Sequence, residues 1–169
     1  MSKRALKKYL DELTKPALEE QLLDLYERFP QVKKYYNFVF NPKEDAMIRE
    51  AQAKISNEYF PLRRKRPRAR RSVAQKCIKQ FTTLGMDPFK LGELMLYNLE
   101  VAQRFEANRN VPEAFYKSMM NSFTELIRHI SFHGMVDDYK SRILSIYRTV
   151  QEREWPFEEG FSRALDNID

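Results

Sequence analysis

The sequence predicts an all-α fold, a single domain of roughly seven to nine helices. Three observations carry that expectation. Apolar residues recur at helical spacing in almost every segment, and no stretch alternates like a half-buried strand. Proline and asparagine or aspartate punctuate the chain into helix-length segments. Only four glycines occur in 169 residues, which leaves little material for hairpins or long loops. An orthogonal bundle and a short stack of helical hairpins both satisfy this pattern. With 43% hydrophobic and 32% charged residues, the chain has the balance of a folded soluble protein and is long enough to bury a core.

The first helix is expected over Lys3 to Leu13, with Leu6, Leu10 and Leu13 on one face. Thr14 is the natural cap of the second, in which Leu18, Leu22, Leu25, Tyr26 and Phe29 recur at helical spacing. Pro30 reads as a break before a short aromatic segment, Val32 to Phe40. Asn41-Pro42-Lys43-Glu44 then supplies a cap, a proline for the first helical position and a glutamate for the third. The helix that follows places Met47, Ile48, Ala51, Ile55 and Tyr59 on one side. Pro61 and Pro67 bracket the next break. A helix from Arg70 or Ser72 to Gly85 clusters Val73, Ala74, Cys77, Phe81 and Leu84, leaving Lys76 and Lys79 toward solvent.

Asp87-Pro88 caps a helix reaching about Glu106 that is apolar on two sides, which makes it the central one. Val111-Pro112-Glu113 opens another, with a stripe from Tyr116 to Ile130 and Gly134 as its stop. Asp137 to Glu154 turns Tyr139, Ile143, Ile146, Tyr147 and Val150 inward. Trp155-Pro156 breaks it, and a short helix from Phe157 to Asn167 closes the chain.

Several function classes are disfavoured at once. The single cysteine, Cys77, forms no internal disulfide and suits a reducing compartment. No apolar run approaches membrane-spanning length, and Met-Ser-Lys-Arg-Ala-Leu-Lys-Lys reads as neither signal nor anchor. A cytoplasmic protein without a membrane partner is expected. Nucleophile-elbow, phosphate-loop and dinucleotide fingerprints are missing, so no catalytic residue and no cofactor is assigned.

The strings Tyr35 to Asp45, Ile55 to Pro61, Ala69 to Lys76, Leu94 to Ala102 and Phe115 to Met119 together resemble a bacterial family known only as a domain of unknown function. The resemblance covers nearly the whole chain and weakens past about Gly134. It implies a soluble, single-domain protein and brings no activity, cofactor or site residue with it.

The functional signal is the run Pro61 to Lys79, which holds nine cations and no carboxylate: Arg63, Arg64, Lys65, Arg66, Arg68, Arg70, Arg71, Lys76 and Lys79. The chain carries 30 Lys plus Arg against 24 Asp plus Glu, so without this window 21 cations face 24 acids and the net charge turns from +6 to −3. Guanidiniums crowded along a proline-stiffened loop at residues 61–71 repel one another. A polyphosphate relieves that repulsion and releases counterions. Arg70 and Arg71 also stand at a helix N-terminus, where cations are disfavoured unless an anion joins them. Self-docking is the competing reading. The tail from Gln151 to Asp169 holds Glu152, Glu154, Glu158, Glu159, Asp166 and Asp169 against Arg153 and Arg163, and is a ready internal partner.

Lesser signals each have a plain structural counterpart. Lys33-Lys34-Tyr35-Tyr36-Asn37-Phe38-Val39-Phe40 interleaves cations with aromatics as single-strand binders do, although such density more often means core packing. Glu125, His129 and His133 follow one another at i,i+4, a metal-ligand spacing, but Glu125 is expected in solvent and the histidines at the flank of the helix, so no metal is assigned. Cys77 falls on an apolar face as an inert thiol, and Asn98 is expected buried and hydrogen-bonded to a neighbour. The expected function is a non-enzymatic binding module for nucleic acid or another polyanion. The alternatives are a scaffold or homo-oligomer whose basic arm docks on an acidic protein surface, and, less favoured, an enzyme with a site between helices.

Overall fold

The computed structural model describes residues 2–63, 66–166 and 168, and among them every regular element is an α-helix. These are α1 (Lys3–Asp11), α2 (Lys15–Arg28), α3 (Pro30–Phe40), α4 (Glu44–Tyr59), α5 (Arg71–Leu84), α6 (Pro88–Glu106), α7 (Glu113–Phe132), α8 (Val136–Glu152) and α9 (Glu158–Leu165). The fold is all-α, as the periodicity predicts. None of the described helices is long and apolar enough to cross a membrane. Asn167, placed by the sequence at the end of the last helix, lies outside the described residues.

Local chemistry explains most boundaries. Thr14 Oγ1 accepts from the Ala17 amide at 3.4 Å, and Asp87 Oδ1 from the Lys90 amide at 3.0 Å, so each satisfies an amide left over by its helix start. Gly85 (φ 75°) and Gly134 (φ 66°) end α5 and α7 in the left-handed region, where a side chain is strained. Two starts differ from expectation. Pro30 opens α3 directly, because the first helical position needs no N–H. Asn41 closes α3, and α4 begins only at Glu44. Glu44 does not fold back as a cap. Its carboxylate accepts from the Asp87 amide at 3.0 Å and pairs with Lys90 at 3.2 Å, fastening the turn between α5 and α6.

Contacts gather the chain into two compact units, residues 1–43 and 44–169. In the first, α2 packs on α3, with Tyr26 donating to Asn37 Oδ1 at 3.1 Å and the Lys33 ammonium 5.6 Å from the Tyr26 ring centre. No residue of α1, α2 or α3 is buried, and Phe40 is 81% exposed. The aromatics of α3 therefore build no core.

The second unit is organised around α6, which touches α4, α5, α7 and α8. Its Leu94, Leu96, Leu99 and Ala102 are buried on different sides, as a helix apolar on two faces requires. Phe123 of α7, Ile143 of α8 and Phe161 of α9 complete the core. Tyr139 crosses to α6 and donates to the Phe89 carbonyl at 2.7 Å. Gly92 makes room for it, since a Cβ there would stand 2.7 Å from the tyrosine hydroxyl. Asn98 departs from expectation. It is buried, yet neither amide atom has a hydrogen-bond partner among the described residues. Cys77 is half-buried, and burial raises its thiol pKa, which keeps it a poor nucleophile.

Candidate functional site

The basic loop leaves α4 after Phe60 and returns to the end of the same helix. The amides of Arg68 and Ala69 both donate to the Glu58 carbonyl, at 3.0 and 2.9 Å, and the Leu62 amide donates to Asn57 Oδ1 at 3.2 Å. Ala69 adopts φ 48°, a left-handed conformation costing about 1 kcal/mol, and the return contact on Glu58 sustains it. The Glu58 side chain is buried and accepts both prongs of the Arg70 guanidinium, Nε at 2.9 Å and Nη2 at 3.0 Å. This fork raises the pKa of Arg70 further.

Arg71 reaches the other way. Its Nε donates to Ser122 Oγ at 2.9 Å and its Nη2 to Glu125 Oε1 at 2.8 Å, while Gln75 Nε2 donates to Glu125 Oε2 at 2.8 Å. The start of α5 is thereby clamped to α7. Two cations at a helix N-terminus called for an anion, and two internal carboxylates supply it. Neither acid belongs to the tail at 151–169, which the sequence offered as the internal partner. Glu125, expected in solvent, is half-buried in this clamp.

Arg63, Arg66 and Arg68 are exposed and form no ion pair among the described residues. Lys76 and Lys79, on the solvent side of α5, share that condition. Arg64 and Lys65, which the sequence places in the same run, lie outside the described residues, as does Asp169 of the acidic tail. Five of the nine sequence-predicted cations thus face solvent in no ion pair among the described residues, and two hold the loop in place.

The sequence did not single out the groove that begins where the loop does. A groove of about 820 Å³ runs between α6 and α8, lined by Tyr97, Glu100 and Arg104 on one wall and Arg142, Ser145 and Thr149 on the other, with Phe60 also contributing. Arg142 is neutralised by Glu93 at 2.9 Å and Glu100 at 2.8 Å. Arg104 is exposed, and among the described residues its Nε donates only to the Glu100 carbonyl, at 3.4 Å. Phe60, 42% exposed, meets the Phe105 ring edge-on at 6.0 Å, and the Arg109 guanidinium lies 4.9 Å from the centre of Phe105. The one hint in the sequence is an aromatic residue immediately before Pro61.

The remaining candidates do not converge. His129 Nε2 donates to the Pro88 carbonyl at 2.8 Å, His133 is exposed with its ring 4.7 Å away, and Glu125 is engaged by Arg71. Among the described residues no group of three His, Cys, Asp or Glu side chains is placed to hold a metal ion. Burial, with a smaller push from His133, lowers the His129 pKa below its ordinary value. The folded state thus favours neutral imidazole, and its contribution to stability is present above about pH 6.5 and lost as pH falls through the depressed value. The melting temperature is expected to drop between pH 7 and pH 5, and to drop less in His129→Asn. Identical pH profiles for the two proteins would remove His129 from this account.

No curated protein and no solved structure matches the chain. A family model does, described as a family of unknown function (DUF6155), and it spans residues 1–169. The chain therefore belongs to that family of unknown function.

Proposed function

We propose that the protein is a non-enzymatic binding module that engages nucleic acid by its phosphate backbone, through Arg63, Arg66 and Arg68 with Lys76 and Lys79 beside them. The observation that carries this reading is the division of labour inside one cationic run. Arg70 and Arg71 are held by Glu58 and Glu125, whereas the cations on either side of them are exposed and in no ion pair among the described residues. A loop stabilised only by its own acids would draw on the outer arginines as well. Contacts of this kind recognise charge and shape and carry little base specificity. Cytoplasmic placement rests on the single unpaired cysteine.

Binding of a fluorescein-labelled 20-base-pair duplex, followed by anisotropy from 50 to 300 mM NaCl, tests the reading. The expected log–log slope is roughly −3 to −6, the signature of about four to seven neutralised phosphates. No binding at 50 mM, or a slope near zero, would overturn it. A second reading has one observation in its favour: Glu152, Glu154 and Glu159 of the tail are also exposed and unpaired among the described residues. In that reading the loop docks on the tail of another copy, and self-association disappears when residues 151–169 are deleted.

A further inference from the structure

We infer that the groove between α6 and α8 receives an unpaired base of a single strand whose phosphates lie on the loop, so the protein selects single-stranded over duplex nucleic acid. This rests on the phosphate-binding reading above and goes beyond it by assigning a second contact and a strand preference. Chain connectivity places the two surfaces together. Phe60 lines the groove and Arg63 is three residues on, so their Cα atoms are at most about 11 Å apart. That is within the reach of one or two nucleotides of an extended strand.

The groove has what a sequence-tolerant base site needs. Phe60 offers a partly exposed ring, held from behind by Phe105. Tyr97 lines the wall, and Arg104 brings a planar guanidinium that no carboxylate neutralises among the described residues. The other two cations of the groove bring no surplus positive charge, since Arg142 faces both Glu93 and Glu100 and Arg153 pairs with Glu106, so the attraction centres on Arg104. The volume of about 820 Å³ exceeds what one nucleotide fills, so entry demands no opening of the helices. A paired base cannot enter, because its faces are already stacked within the duplex.

The experiment measures anisotropy of labelled dT20, U20 and a 20-base-pair duplex at 100 mM NaCl, with wild type, Phe60→Ala and Arg104→Gln. Wild type is expected to prefer both single strands to the duplex by at least about tenfold. Phe60→Ala should weaken single-strand binding by roughly five- to hundredfold, the range for losing one stacked base, and leave duplex binding within about twofold. Arg104→Gln, an exposed change that spares the core, should move affinities the same way, so a folding defect in the Phe60 variant cannot decide the matter. Equal affinity for strand and duplex, or losses that fall equally on both, overturns the groove assignment while the loop reading stands. Absence of binding to any of the three probes overturns both.

Discussion

Phe123→Ala is expected to destabilise the protein by about 3–5 kcal/mol. Phe123 has no exposed surface, and its ring packs 5.2 Å from that of Phe161, so it carries the contact between α7 and α9. Alanine removes the buried ring and leaves a cavity that the flanking helices cannot fill without shifting. A reporter is built in. Trp155 is the only tryptophan, it is buried, and its ring lies 6.1 Å from Phe161. Urea unfolding followed by its fluorescence should show a lower midpoint with an unchanged slope, because the surface exposed on unfolding is nearly the same. A loss below about 1 kcal/mol would mean that α9 does not depend on this contact.

The largest functional effect is expected from replacing Arg63, Arg66 and Arg68 together by alanine. Each phosphate contact contributes a factor of roughly 15 at 50 mM salt relative to 1 M, so three lost contacts cost on the order of a thousandfold in affinity. Stability should hardly change. The three side chains are exposed and in no ion pair among the described residues, and the hydrogen bonds from the backbone amides of residue 68 and Ala69 to the Glu58 carbonyl survive the substitution. Undiminished duplex binding at 50 mM would detach the loop from nucleic acid altogether.

How much of this was legible in the sequence follows from how local each cause is. Thr14, Asp87, Gly85 and Gly134 act within a few residues of themselves, and the helix ends they mark appear where the sequence places them. The start of α4 was misplaced because Asn41-Pro42 is a strong local signal, whereas Glu44 answers to the Asp87 amide 43 residues away. The charge run was visible because density along the chain is itself local. Its internal ties were not, since Arg71 and Glu125 are separated by 54 residues.

Glu58 lay closer to detection. Ala51, Ile55 and Glu58 share one helical face, and a carboxylate on a buried stripe asks for a cation nearby. What the sequence could not supply was the loop's return, which brings Arg70 rather than Arg63 to it. The groove was hidden for the same reason. Phe60, Tyr97, Arg104 and Ser145 come from three separate stretches, and only the packing of α8 against α6 gathers them. Burial in α3 was misjudged from aromatic density alone, a composition that does not say whether another surface covers it.

The most direct test compares the salt dependence of duplex binding in three proteins: wild type, the Arg63, Arg66 and Arg68 triple alanine variant, and Arg70→Gln. The guanidinium of Arg70 is taken up by Glu58 and those of the other three are not, so the triple variant should flatten the log–log slope by roughly 3 while Arg70→Gln leaves it as in wild type. Equal slopes for wild type and the triple variant, or an Arg70→Gln slope as flat as that of the triple variant, would contradict the account.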